Sequence, residues 1–203
     1  LYDNTVWYEN TAIGVQALTY NTWGFRNTAL GVNTLYTNKS GYQNVAVGNA
    51  SLYSNVNGYS NTAVGNDSLF TNTSWVYNVA VGFQALTLNT TWNNNVAVWV
   101  SSLRSNTTGT GNTAVGYNSL YSNKTGYDNT GIGQYALTFN SGGYENVALW
   151  WAALYGNTTG YGNTAIGYLA QFSATTAIRN TAVGRGALST NTASDNVWVW
   201  YSV

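Results

Sequence analysis

An asparagine recurs every 17 residues along this chain, at Asn10, Asn27, Asn44, Asn61, Asn78, Asn95, Asn112, Asn129, Asn146, Asn163 and Asn180, and once more, a residue early, at Asn196. A fixed period of this length is the signature of a repeat architecture, in which each unit buries its apolar face by stacking on its neighbours. The chain is therefore read as one continuous array over residues 1–203, with partial coils at 1–9 and 196–203.

With the periodic Asn as column 1, column 3 is Ala in ten of eleven repeats, Gly131 being the exception, and column 4 is always Ile, Leu or Val. Column 9 is Leu except at Gln171, and column 12 is Asn except at Ala174. Column 5 is mostly Gly, as is column 15, and Tyr is the commonest residue in column 16. Thr or Val at column 2 and the aliphatic residue at column 4 lie two apart, the spacing of one face of a strand. Gly, Asn and Thr between the apolar positions are turn formers, and a composition of β-branched residues, Gly and Asn disfavours helix. The expected fold class is all-β: a parallel β-solenoid, or β-roll, of about twelve 17-residue coils without caps. Each coil is expected to hold two or three short strands and to pair with the next at about 4.8 Å per rung.

The column 4 aliphatics and column 9 leucines are expected to point inward, and the asparagines of columns 1 and 12 to stack as amide ladders. Columns 3 and 5 then face outward. Their small residues predict a strip along which a neighbouring chain approaches, through Ala12, Ala29, Ala46, Ala63 and Ala114, with Trp99 and Trp150 replacing Gly as protruding knobs. Asn-X-Ser/Thr sequons at Asn38, Asn72, Asn89, Asn106, Asn123 and Asn157 all fall in column 12. They can carry glycans if that column is an exposed corner and cannot if it is a buried ladder. Two further sequons stand at Asn49 and Asn66.

Six Lys and Arg balance six Asp and Glu, and only 6% of residues are charged. A basic footprint for nucleic acid is missing, as are a polybasic membrane patch and an apolar run long enough to cross a bilayer. Cys and His are absent, which removes the commonest metal ligands, thiolate nucleophiles and the commonest general base. Asp128 and Glu145 share column 17 on adjacent rungs, but isolated surface charges explain them better than a glycosidase pair. Glu9 and Arg26 share a column as well and are expected to form a surface ion pair. No cofactor, metal or enzymatic activity is expected. Tyr and Phe stripes in columns 10 and 16 (Tyr36, Tyr53, Phe70, Tyr121, Tyr155; Tyr42, Tyr59, Tyr127, Tyr144, Tyr161) suit rung-to-rung packing first and sugar binding second. Thr pairs at 90–91, 107–108 and 158–159 hint at a water-ordering face, which Trp23 and Lys39 interrupt.

The chain opens on Leu1 rather than Met, as a mature product or a fragment does. Leu1 and Tyr2 at one end and Trp198, Trp200 and Val203 at the other are apolar and uncapped, so end-to-end contact between copies, or continuation of the array, is expected there.

Asn112-Thr-Ala-Val-Gly-Tyr-Asn-Ser-Leu and Asn163-Thr-Ala-Ile-Gly-Tyr resemble the Asn-Ser-Val-Ala-Ile-Gly repeats of trimeric autotransporter adhesin heads, and are similar to repeat shafts of phage tail-fibre-like proteins. The resemblance covers the whole array, although the 17-residue period is longer than that of the adhesin heads. It implies parallel β-rolls, often trimeric through the small-residue strand, that project from a surface and bind host ligands. The expected function is a non-enzymatic extracellular, cell-surface or virion fibre built by head-to-tail and lateral self-association, with a glycan-binding adhesin or tail-fibre shaft as the alternative. Neither nucleic acid nor membrane insertion is expected.

Overall fold

The structure, a computed structural model, describes residues 9–74, 76–90 and 94–199. The fold is all-β, a parallel β-solenoid of about eleven turns, and no helix occurs among the described residues. The chain divides into two compact units, Leu1–Ser101 and Ser102–Val203. In the first, strands β1 (Thr11–Ile13), β2 (Thr28–Leu30), β3 (Val45–Val47), β4 (Thr62–Val64), β5 (Val79–Val81) and β6 (Val96–Val98) pair in sequence order. In the second, β7 (Thr113–Val115), β8 (Thr130–Ile132), β9 (Val147–Leu149), β10 (Thr164–Ile166), β11 (Thr181–Val183) and β12 (Val197–Val199) do the same. Pairing is parallel and column matches column, as in Thr28↔Val45 and Ala29↔Ala46. The short final coil keeps the match by pairing Thr181 with Val197.

Each coil holds one three-residue strand, not the two or three expected. The backbone at columns 7, 9 and 17 is left-handed, with φ of 57° at Asn33, 48° at Leu35 and 55° at Gln43. Left-handed residues turn the chain tightly, so the remaining fourteen positions of a coil form corners instead of further strands. The rungs stay tied together through those corners. Leu35 N–H donates to the Ser51 carbonyl at 3.1 Å and Asn33 N–H to the Val15 carbonyl at 2.9 Å, while Thr22, Trp23 and Gly24 N–H converge on the Lys39 carbonyl within 3.1 Å. Backbone groups that strands would have satisfied are thus satisfied by the next coil.

The left-handed conformation costs a non-glycine residue roughly 1–2 kcal/mol. The column 9 leucines accept it because it carries their side chains into the coil. Leu18, Leu35, Leu52, Leu69 and Leu86 in the first unit, and Leu103, Leu120, Leu137 and Leu154 in the second, are all 0% exposed. Burying each contributes about 1.5–3 kcal/mol, which offsets the backbone strain.

The strand faces the opposite way from the sequence expectation. Column 3 points inward, and Ala29, Ala46, Ala63 and Ala114 are fully buried. Column 4 points outward, leaving Ile13 61%, Leu30 44% and Ile132 43% exposed. The interior has no room for a second branched side chain. A Cβ added at Gly131 would lie 3.4 Å from Leu120 Cδ1 and 2.7 Å from Ser119 Oγ, so column 3 meets columns 8 and 9 of the preceding coil directly. Column 5 is Gly for a related reason. Its φ is near 130°, as at Gly31 (132°), and a Cβ there would sit 2.5 Å from the Gly48 carbonyl oxygen. The backbone that closes on the glycine strip is the protein's own next coil.

Candidate functional surfaces

The asparagine columns form two ladders of stacked carboxamides in each unit, and in the second unit Ala174 interrupts the one in column 12. In column 1, Asn44 Nδ2 donates to Asn27 Oδ1 at 3.0 Å and to the Gly58 carbonyl at 2.8 Å, while Asn44 N–H donates to the same Asn27 Oδ1 at 3.0 Å. Each such carboxamide uses both hydrogens and both lone pairs. In column 12, Asn38 Nδ2 donates to Asn21 Oδ1 at 2.7 Å and to the Gly41 carbonyl at 3.1 Å, and Asn55 Nδ2 donates to Asn38 Oδ1 at 2.8 Å. One column 15 carbonyl therefore receives a hydrogen from each ladder, as Gly41 does from Asn27 and Asn38.

This geometry corrects the glycan reading of column 12. Asn38, Asn72, Asn89, Asn106, Asn123 and Asn157 are all 0% exposed. Asn123 and Asn157, for example, spend their amide hydrogens inside the coil, on Asn106 and Gly126 and on Asn140 and Gly160. A glycan would replace one of those hydrogens and has no exit. Asn49 is exposed and Asn66 half-buried.

The lateral strip is corrected in the same way. Ala29, Ala46, Ala63 and Ala114 lie in the core and Ala12 is half-buried, so their methyl groups do not form an outer strip. Trp99 and Trp150 do stand outside, 61% and 67% exposed. Both keep a positive φ, but at 104° and 92° instead of the roughly 130° of the column 5 glycines. In the second unit Trp150, Trp151, Leu149 and Ile132 line a shallow apolar hollow.

The aromatic stripes are stacked ladders. Phe25, Tyr42 and Tyr59 follow one another at 4.8 and 4.5 Å with planes within 4°. Tyr127, Tyr144 and Tyr161 do so at 4.7 and 4.6 Å. Column 10 adds Tyr36, Tyr53 and Phe70 in the first unit, both steps at 5.1 Å, and Tyr155 with Phe172 at 5.0 Å in the second. The sequence reading omitted Phe25 and Phe172, although their columns mark them, and also the stack of Trp151 on Tyr168. Tyr36 donates to the Tyr20 hydroxyl at 3.3 Å, and this bond, with partial burial, holds the Tyr36 pKa above the usual phenol value. Burial raises that of Tyr144, and its stacked neighbours Tyr161 and Tyr127 add to the shift.

The Glu9–Arg26 pair forms as expected, at 2.6 Å. A second pair, Arg179–Asp195 at 2.6 Å, was missed because the short coil sets these residues 16 apart instead of 17. The hydrogen bond from Arg179 holds the Asp195 carboxyl below its ordinary range. Thr107 and Thr158 turn their hydroxyls onto the Lys124 and Thr175 carbonyls. Among the described residues no cluster of acids could hold a metal ion, and no helix is long and apolar enough to cross a membrane.

Of the end residues, Trp198 is 52% exposed between Val197 and Val199 at 74% and 72%. Leu1, Tyr2, Trp200 and Val203 lie outside the described residues. Compared with known protein families, curated proteins and solved structures, the chain gives no match.

Proposed function

We propose that the chain is a non-enzymatic structural protein whose solenoid coils assemble end to end into an extracellular fibre, at a cell surface or on a virion. The observation that carries this reading is the self-complementarity of each rung. A column 1 or column 12 Asn offers Oδ1 toward the following coil and Nδ2 toward the preceding one, so any coil fits the next. The last described strand, β12, keeps this register: Asn196 Nδ2 reaches Asn180 Oδ1 at 3.2 Å, while Val197 and Val199 stay exposed. Wherever such a rung is left unpaired, its matching donor and acceptor row is a template for another chain. Low charge removes the repulsion that would oppose stacking. The partner is then a second copy, joined head to tail. A lateral contact, if made, uses the outward columns 2 and 4 with Trp99 and Trp150. Nucleic acid and membrane insertion have no place in this reading. Electron microscopy of purified protein tests it: filaments are expected, and discrete particles that persist at high concentration overturn it.

The second reading, a surface adhesin or tail-fibre shaft that binds host glycans, rests on the stacked tyrosines, whose faces and hydroxyls suit sugar rings. Binding on a glycan array that is lost in Tyr144→Ala would support it, and an array without signal would remove it.

A further inference from the structure

In the second unit column 5 is Gly at 116, 133, 167 and 184, with φ between 122° and 136°, and Trp at 150. Trp150 holds a φ of 92°, a positive value that side chains with a Cβ rarely adopt. Its backbone stays in the ladder, since Trp150 N–H donates to the Ile132 carbonyl at 2.7 Å. Its side chain gains little from the protein. It is 67% exposed and makes no ring stack and no hydrogen bond among the described residues. Backbone strain held at an exposed position points to a use outside the fold.

Its surroundings define that use. Trp150 and Trp151 line a hollow of about 570 Å³ together with Ile132, Gly133, Gln134 and Leu149. That volume lies within the roughly 300–1,000 Å³ of small-molecule sites. One indole is held rigidly: Trp151 stacks on Tyr168 at 5.0 Å with planes 14° apart and meets the Tyr135 ring edge-on at 6.1 Å. Tyr135 is itself edge-on to Tyr117 and Tyr155. The polar groups of the lining are uncommitted. Neither indole N–H nor the Gln134 carboxamide has a hydrogen-bond partner among the described residues. No charged side chain lines the hollow, and Arg185, two rungs on from Trp151 in the same column, lies over the Tyr168 ring at 5.3 Å.

We propose that this hollow binds one uncharged hexopyranose ring of an oligosaccharide. A pyranose carries an apolar C–H face edged by hydroxyls. The indole faces take up the C–H face, the indole N–H groups donate to hydroxyl oxygens, and the carboxamide both donates and accepts. An aliphatic chain would cover those polar groups without pairing them. An anionic sugar or a phosphate would meet no cation. The first unit lacks the same set: Trp99 stands in column 5 there, but Phe83 and Val100 hold the places of Gln134 and Trp151. The hollow is separate from the column 16 tyrosines, so the proposal does not depend on sugar binding along that ladder.

Titration of the full chain with lactose, cellotetraose and maltotetraose, followed through the indole N–H resonances in nuclear magnetic resonance, tests this. The Trp150 and Trp151 signals should shift together and saturate at about 1–10 mM of at least one of these sugars, as suits a shallow site. Trp150→Gly, which restores the usual column 5 residue, should abolish the shift. Gln134→Ala should weaken binding about tenfold, while Trp99→Gly and Tyr144→Ala should leave it unchanged. No shift with any of the three sugars overturns the proposal, and so does binding that survives Trp150→Gly. Binding that is lost in Tyr144→Ala instead belongs to the tyrosine ladder and overturns it as well. Indole shifts that follow protein concentration without sugar would assign the hollow to a second copy of the chain, against the proposal.

Discussion

Replacing Asn140 with Ala cuts the column 12 ladder in the middle of the second unit. Asn140 Nδ2 serves Asn123 Oδ1 at 2.8 Å and the Gly143 carbonyl at 3.0 Å, and its Oδ1 receives Asn157 Nδ2 at 2.7 Å. Gly143 retains Asn129 as a donor. The substitution therefore strands one buried oxygen, on Asn123, and half of one buried amide, on Asn157. A buried polar group left unpaired costs about 1–3 kcal/mol. Two such groups sum to roughly 2–6 kcal/mol, and a water entering the space brings the loss toward the lower end. The expected destabilisation is about 2–4 kcal/mol, a large share of the roughly 5–15 kcal/mol that holds a folded domain together. Urea unfolding of the full chain followed by circular dichroism measures it, with the exposed Thr125→Ala as a control expected within about 0.5 kcal/mol of wild type. Hydrogen exchange locates it, because a repeat array opens rung by rung, and the Leu137 and Leu154 amides should lose protection first. If Asn140→Ala matches the Thr125 control, the amide ladder is not what holds the rungs together.

Trp150→Gly removes a left-handed tryptophan that is 67% exposed, trading about 1–3 kcal/mol of strain against little lost burial. The thermal midpoint should rise, and a fall would show that Trp150 packs more tightly than its exposure implies. Gly31→Ala puts a Cβ 2.5 Å from the Gly48 carbonyl oxygen at a φ of 132°, and should cost at least about 3 kcal/mol in urea unfolding. A near-neutral result would mean that the rungs can spread at column 5. The Asp195 carboxyl has its folded pKa lowered by Arg179, so its contribution is present above the ordinary carboxylate pKa and is lost as pH falls through the folded value. Protection factors of the Thr181 and Asp195 amides, taken against the intrinsic exchange rate at each pH, should fall on acidification below about pH 4, and Asp195→Asn should abolish that dependence.

Much of the fold was legible because it is a property of columns. A side chain repeated every 17 residues must stack on its own kind, which gives the Asn27–Asn44 and Tyr42–Tyr59 ladders and the leucine core without further information. The candidate surfaces were less legible. Asn38 reads as a buried rung first and as an exposed sequon second, and its neighbours in sequence exclude neither. The Arg179–Asp195 pair depends on a one-residue contraction whose location in space the sequence does not state.

The period determined that the chain is a stacked array and which columns run as ladders, and the β-branched, Gly and Asn composition with its two-residue spacing disfavoured helix. Tertiary structure decided which way the strand faces. Hydrophobicity favoured turning Val47 and Ile132 inward. The left-handed leucine from the far side of the coil already fills that space, so alanine goes in and the larger aliphatic side chain goes out. Volume inside a narrow coil is shared among residues distant in sequence, and no single column records how much of it remains.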